Sequence, residues 1–371
     1  MIAVNHHSFF TIRLKMIIKE LKLKNYRNIG QMQICPSGGI NLFYGENAQG
    51  KTNIIEAVWL FTGCKSFRGA KDRELVRFQE TKAKLSMLYN AGGDETADIE
   101  IETRRKAFAG GVPLPSPVQL MGGFNAVVFS PAHLTLVKNG PAERRKFLDT
   151  AICQLKPSYT GVLRAYNRAL DQRNSLLKDI PYHSELMDTL DAWDARLCEA
   201  AAVMTKQRQA YTARLANAAA EIYDGLSSGA EKFSVRYALS YDESAGDFAE
   251  NLRRARKTDV INGTTSVGPH RDDLEIEING ISARSYGSQG QQRSAALAVK
   301  MAEGEILKDV TGEYPVLLLD DVMSELDAGR QNYILNHIEG RQVFITCCDP
   351  DAVKRAAVGA KFHIKNGKIL N

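Results

Sequence analysis

The sequence predicts an α/β fold of mixed and parallel sheets with flanking helices, interrupted by an inserted helical arm. Three observations predict it. A glycine-rich loop, Gly45-Glu46-Asn47-Ala48-Gln49-Gly50-Lys51-Thr52, joins a strand-like run, Ile40 to Tyr44, to a helical run, Asn53 to Phe61; strand, loop and helix in that order form the setting of a phosphate-binding loop. About 265 residues further on, Pro315 precedes Val316-Leu317-Leu318-Leu319-Asp320-Asp321, which reads as a buried parallel strand delivering two carboxylates at its carboxyl edge. From Pro141 to about Gly225, glycine and β-branched residues thin out and Leu, Ala, Arg and Glu recur at helical spacing.

The elements follow in order. Residues 1–15 have late positive charges, a short apolar patch and no small-residue cleavage site, so they fail as a secretory signal and read as a disordered extension or an upstream start. Residues 16–140 form an N-terminal lobe of short β-type runs: Ile17 to Leu23, Ile40 to Tyr44, Lys84 to Tyr89, Asp98 to Thr103 and Ala126 to Phe129. Residues 141–261 are the mainly helical arm, a hairpin whose two stretches part at Ile180-Pro181. Each stretch is about forty residues, so neither exceeds about 60 Å at helical rise. A strand, Phe233 to Tyr241, and a short helix, Phe248 to Lys257, close the arm, and residues 262–371 return to α/β character as a C-terminal lobe.

Composition narrows the classes. The 371 residues are 44% apolar and 25% charged, which suits one large core with a smaller unit. Apolar runs are only strand-sized, so the sequence predicts no membrane span. Six cysteines lie scattered without a CxxC pair, against both a zinc site and a secreted disulfide framework, and in keeping with a reducing cytosol. Cys347 and Cys348 read as buried thiols at a strand end. The net charge of +5 is concentrated N-terminally, where residues 1–140 hold 18 Lys+Arg against 11 Asp+Glu. Lys65, Arg68, Lys71, Arg73 and Arg77 are the candidates for nucleic-acid phosphates, with a solvated face as the plain alternative.

The motifs assign chemistry to residues. Gly45 to Thr52, with Asn53, would close backbone N–H groups around nucleotide phosphates at a helix N-terminus; Lys51 reaches the β- and γ-phosphates and Thr52 holds Mg²⁺. Asp320 joins the Mg²⁺ shell, and Asp321 orients or deprotonates the attacking water. Ser288-Gln289-Gly290-Gln291 opens a helix that runs to about Leu307. Its N-terminus is an anion site whose natural client is the γ-phosphate of ATP held by a second copy, since this subunit's loop already cradles its own; an ordinary N-cap is the alternative. Ser324-Glu325-Leu326-Asp327 then falls at the same dimer interface, or else simply caps a helix.

These strings resemble the ABC-type P-loop ATPase heads of the SMC and Rad50 superfamily, and more closely the RecF recombination-mediator family. The match rests on Leu23-Lys24-Asn25-Tyr26-Arg27-Asn28, the loop at Gly45 to Thr52, Arg144-Arg145-Lys146-Phe147-Leu148-Asp149, Gly268-Pro269-His270-Arg271-Asp272-Asp273, Ser288 to Arg293, and Leu317 to Asp327, and it spans the chain from Met16 onward. The resemblance implies a cytoplasmic factor of DNA repair, replication and the SOS response to DNA damage. It would dimerise on ATP, bind gapped or junction DNA and, with RecR and RecO, help load RecA. It also implies Arg27 as a nucleotide contact, although the sequence alone permits an ordinary surface arginine.

The chain departs from general ABC heads in two places. Asp321 stands where those heads carry Glu, favouring slow hydrolysis and a switch over a motor, and Val343 to Asp349 has no switch histidine. Pro131-Ala132-His133-Leu134 replaces acidic residues of the resembled family, and His270 reads as a core or interface histidine. An ABC transporter subunit is the first rival, disfavoured by the helical insertion and the paired aspartates. A Rad50- or SMC-like tether would need hundreds of coiled-coil residues, and a small-molecule kinase would leave Ser288 to Gln291 unexplained.

Overall fold

A computed structural model describes residues 16–242, 244, 246–348 and 358–370. The extension expected at residues 1–15 lies outside them, as does Asp349. The chain opens with β1 (Ile17–Tyr26) and β2 (Ile29–Ile34), then β3 (Ile40–Tyr44), the phosphate-type loop and α1 (Lys51–Leu60). Next come β4 (Ala83–Asn90), β5 (Asp94–Ile101), β6 (Arg105–Ala109), β7 (Val112–Leu114), β8 (Ala126–Phe129) and α2 (Pro131–Leu134). The arm supplies α3 (Pro141–Leu155), α4 (Tyr159–Asp179), α5 (Leu190–Ser227), β9 (Phe233–Ala238) and α6 (Phe248–Asn262). The chain returns through β10 (Asp273–Ile278), β11 (Ile281–Ser282), α7 (Ala283–Tyr286), α8 (Gln289–Thr311), β12 (Val316–Asp320), α9 (Ala328–His337), β13 (Val343–Cys347), β14 (Val358–Lys365) and β15 (Lys368–Leu370).

Three sheets result. The antiparallel sheet β2-β1-β4-β5-β6-β7 is amphipathic: in β1, Leu21 and Leu23 are buried while Lys22 and Lys24 face water, the alternation of a sheet covered on one side. The central sheet runs β15-β14-β3-β13-β12-β8, with every pairing parallel except that of β14 with β15. All five residues of β12 and of β13 are buried, because helices or a second sheet cover both faces. A small antiparallel sheet, β11-β10-β9, packs with the arm.

α1 fills the space between the two large sheets. Its Ile54, Ile55, Val58, Trp59 and Leu60 join Leu21 and Leu85 on one side and Val316, Leu318 and Phe344 on the other. The buried Gln342 fastens the sheets at their far end, accepting from the Ile18 N–H at 2.8 Å and donating to the Ile18 carbonyl at 2.9 Å. The opposite face of the central sheet, Leu42, Val127, Leu317, Leu319 and Ile345, continues through α8 into Leu197, Met204, Tyr211 and Leu215 of α5 as one apolar core. Each fully buried Leu there contributes about 1.5–3 kcal/mol.

The arm departs from the expected hairpin. Its first stretch is two helices, α3 and α4, broken at Lys156-Pro157-Ser158 because proline cannot continue the hydrogen-bond ladder. α5 is continuous for 38 residues, about 57 Å. The helix expected to end near Lys257 runs on to Asn262, where Gly263 terminates it in the left-handed conformation with φ 62°. β2, β6 and β7 are strands beyond the expected β-type runs.

The strings Arg144 to Asp149 and Gly268 to Asp273 join the arm to the segment that follows it. Arg144 grips Asp273 through paired bonds of 2.7 and 2.8 Å, and Arg145 donates to the Asp272 carbonyl at 2.7 Å. Arg208 of α5 pairs with Asp149 at 2.9 and 2.8 Å and donates to the Pro269 carbonyl at 2.6 Å. His270 lies between the Tyr166 hydroxyl, 2.6 Å from Nδ1, and the Thr265 carbonyl, 3.0 Å from Nε2. The carbonyl can only accept, so Nε2 carries the proton and Tyr166 donates to Nδ1. Burial lowers the histidine's pKa, so the imidazole is a neutral packing residue.

Candidate nucleotide site

The loop, Asp320 and Thr346 meet because β3, β12 and β13 run parallel and end together: Tyr44 pairs with Cys347, and Asp320 with Thr346. Ligands of such sheets collect beyond the carboxyl ends of the strands. Gly50 caps α1 at φ 111°, a conformation that side chains disfavour. Lys51 is 7% exposed. Its ammonium folds back over the loop, donating to the Gly45 carbonyl at 2.6 Å and the Glu46 carbonyl at 2.8 Å.

The two halves of the site, 268 residues apart, are joined directly. Thr52 Oγ1 donates to Asp320 Oδ1 at 2.9 Å, and Thr346 Oγ1 donates to the same oxygen at 2.9 Å. Burial raises the Asp320 pKa; the two hydroxyl bonds oppose the rise and the neighbouring Asp321 charge adds to it. Asp321 adopts φ 53°, turning its side chain out of the strand's alternation. The Asp321 N–H donates to Thr346 Oγ1 at 2.9 Å, and Ser324 Oγ donates to the Asp321 carbonyl at 3.0 Å.

The β1–β2 turn closes the site from the side. Arg27, at φ 54°, makes a paired contact with Glu56 of α1, both bonds 2.9 Å. Glu56 is fully buried and also accepts from Ser66 Oγ at 2.5 Å and the Tyr26 hydroxyl at 3.1 Å. Burial, then the Glu56 charge, raises the Tyr26 phenol well above its ordinary pKa, so it stays protonated as a donor. Glu56 carries no signal in the sequence: no local pattern separates a helix-interior glutamate from a solvated one, and its partners Ser66, Arg27 and Tyr26 lie 10, 29 and 30 residues away.

The five basic candidates do not share one environment. Arg68 donates to Asn53 Oδ1 at 2.9 Å and lies 3.7 Å from Glu56. With Arg27, Arg73, Arg77 and the exposed Phe78 it lines an open cleft of about 1250 Å³ beside the start of α1. Lys65 opens onto a different pocket, near His133 and Lys300, and Lys71 is exposed.

Ser288 is the N-cap of α8: its Oγ accepts the Gln291 N–H at 3.2 Å, while Gln291 Oε1 accepts the Ser288 N–H at 2.7 Å. Both Ser288 and Gln289 are exposed. Arg293 ties this helix to the following loop through the Glu325 carbonyl and carboxylate, each at 2.9 Å. Asp327 caps α9 by accepting the Arg330 N–H at 3.0 Å, and Arg330 reaches back to Ser294 at 2.7 Å. The turn at Ser288 to Gln291 and the loop Ser324 to Asp327 are thus one connected surface.

One expectation is corrected. Cys347 is buried, but Cys348 is exposed, because β13 ends at Cys347 and Cys348 lies beyond it. Its Sγ donates to Asn47 Oδ1 at 3.0 Å and sits 3.8 Å from Lys51 Nζ, in the stretch where the sequence lacks a switch histidine. His133 is also explained: its Nδ1 accepts the Ser130 N–H at 3.1 Å, a neutral cap for α2, and burial followed by the Lys300 and Lys146 charges lowers its pKa well below the ordinary value. Among the described residues no cluster of three His, Cys, Asp or Glu could hold a metal ion, and no helix is long and apolar enough to cross a membrane.

A split phosphate-loop site on a parallel sheet, flanked by an antiparallel sheet and interrupted by a helical arm, is the architecture of an SMC-like ABC-type ATPase head. In fold it is similar to the SMC head of Pyrococcus furiosus, with a TM-score of 0.56 at 18% identity over 96% of both chains. An AAA-domain family model matches residues 20–125. The chain is 43% identical to the DNA replication and repair protein RecF of Lachnoclostridium phytofermentans, covering 90% of this chain and 92% of that one. It is 41% identical to that of Agathobacter rectalis, covering 95% and 99%. A solved structure of the recombination mediator protein RecF-ATP in the RecFOR pathway superposes with a TM-score of 0.88 at 36% identity, over 99% of both chains. The chain belongs to the RecF family of DNA replication and repair proteins.

Proposed function

We propose that this chain is an ATP-gated DNA-binding protein, two copies of which close on shared ATP at sites where repair or replication restart is needed. The observation that carries the reading is the Thr52–Asp320 hydrogen bond, which joins the phosphate loop to the acidic strand in one site. Lys51 meets the β- and γ-phosphates and the loop N–H groups cradle them. Thr52 and Asp320 supply two adjoining oxygens of the kind Mg²⁺ takes. Asp321, just outside that pair, orients the attacking water. The shorter Asp321 side chain makes the protein a weak, DNA-stimulated ATPase in which hydrolysis ends the bound state. Arg27 and Arg68 border the nucleotide. The exposed Ser288 and Gln289, with the half-buried Gly290 and Gln291, meet the γ-phosphate on the second copy, with Ser324, Glu325 and Asp327 beside them. The similar structure's RecFOR pathway supports RecR and RecO as partners; the reading adds RecA downstream, gapped or junction DNA as ligand and the cytoplasm as the setting.

Light scattering with and without Mg²⁺-ATP tests the clamp. The expected result is a doubling of molar mass on ATP addition; a mass that stays monomeric with ATP and with gapped DNA present sinks the shared-site reading.

DNA contact makes a separate prediction. Log affinity for gapped DNA should fall linearly with log salt, and Lys65→Ala and Lys71→Ala should each reduce the slope by about one unit if each neutralises a phosphate. An unchanged slope in both variants moves the contact elsewhere.

A further inference from the structure

We propose that the turn of the C-terminal hairpin β14–β15 is part of the nucleotide site, and that Gln49 is the positioning residue through which it acts. The inference rests on the nucleotide-binding reading above.

The hairpin meets the loop at both ends. At its start, the ring of Tyr44 stacks on His363, centroids 4.9 Å apart and 5° from parallel. Gly45 has φ 145°, and a Cβ there would fall 2.3 Å from the Ile364 carbonyl oxygen. At the far end, Asn366 and Gly367 both take left-handed conformations, φ 50° and 69°, and present successive N–H groups to one residue. The Asn366 N–H donates to Gln49 Oε1 at 2.7 Å, and the Gly367 N–H donates to the Gln49 carbonyl at 2.9 Å. The same turn abuts the β1–β2 turn, since a Cβ on Gly367 would lie 2.5 Å from the Asn28 carbonyl oxygen. The Asn28 side chain in turn presses on Gly50, where a Cβ would meet its Oδ1 at 2.7 Å.

The consequence follows from peptide planarity. Gln49 C=O and Gly50 N–H belong to one trans peptide and point in opposite directions. Fixing the carbonyl on the Gly367 N–H therefore aims the Gly50 N–H away from the hairpin, toward the inside of the loop, where a phosphate-binding loop needs its donors. The Gln49 side chain adds a second attachment that resists rotation of that peptide. Because the coupling is thermodynamic, ATP must tighten the turn as much as the turn tightens ATP.

The test is titration of a fluorescent ATP analogue into the full chain and into Gln49→Met, which keeps the side-chain length and removes the acceptor, together with amide hydrogen exchange. The dissociation constant should rise about three- to tenfold in the variant, the worth of one hydrogen bond. ATP should slow exchange of the Asn366 and Gly367 amides in the native chain and do so less in Gln49→Met. Equal affinities, or hairpin amides indifferent to ATP in a native chain that binds it, overturn the proposal. A native chain that does not bind the analogue overturns the nucleotide reading itself.

Discussion

Lys51→Ala is expected to abolish ATP binding at concentrations that just saturate the native chain. Its ammonium is nearly buried and held by the Gly45 and Glu46 carbonyls, so it is already placed at the mouth of the loop rather than recruited from solvent. Opposite unit charges at about 4 Å attract by about 4 kcal/mol at the effective dielectric of a partly buried site, which corresponds to about a thousandfold in affinity. Alanine removes that attraction and also leaves two loop carbonyls without their donor, which loosens the loop itself. The folded state should survive, because α1 is anchored by Ile54, Ile55, Val58 and Leu60 and not by the lysine. Calorimetric titration with Mg²⁺-ATP, alongside a thermal melt without nucleotide, separates the two effects. Affinity within tenfold of native at an unchanged melting temperature would show that Lys51 is not a phosphate ligand.

How much of this was legible in the sequence depends on how local the determinant is. β3, β8 and the acidic strand β12 were read to the residue or nearly so, because a run of apolar residues bounded by glycine, proline or aspartate carries its own limits. The turn at Ser288 was equally visible, since Ser288 and Gln291 are three apart and close on each other. Pro157 carries an equally local signal for the break between α3 and α4. Glu56 was not legible. Its meaning comes from Tyr26, Arg27 and Ser66, and only the packing of α1 between two sheets brings them within reach. The exposed Cys348 and the Gln49–Gly367 contact fall in the same class: each joins residues about 300 positions apart, and nothing in the neighbourhood of either residue announces the other.

The basic cluster shows the same division within a single string. Its spacing suggested one nucleic-acid face, yet the 3₁₀ turn at Asp72–Leu75 and the bonds of Arg68 to Asn53 and Glu56 carry Arg68, Arg73 and Arg77 to the cleft beside the loop. Charge counts gave the sign of the surface; the turn decided which cations face the nucleotide side and which face elsewhere.

Ser288→Arg should leave ATP binding intact and prevent ATP-dependent dimerisation. In the single chain Ser288 works only as a cap for α8, bonded to Gln291, and Gln291 bonds onward to Glu231 at 2.5 Å, so none of these bonds touches the subunit's own phosphate loop. Losing the cap costs about 1 kcal/mol. α8 withstands that loss, since Ala295, Leu297, Ala298, Val299, Ala302, Ile306 and Leu307 are all buried. ATP affinity should therefore stay within about twofold of native. The dimer is different, because in the proposed clamp this exposed position meets a second copy's γ-phosphate and would now carry a long side chain where the shared site needs close approach of a helix N-terminus. The added positive charge does not rescue it: a guanidinium can neutralise a phosphate at a distance, but it cannot let the helix N–H groups reach the same oxygen. Ser288→Ala separates the two roles, losing the same cap without the bulk, and should dimerise more weakly rather than not at all. A Ser288→Arg protein that still doubles its mass on Mg²⁺-ATP would show that α8 does not face the nucleotide of the second copy, leaving Ser288 as the helix cap it already is in the single chain.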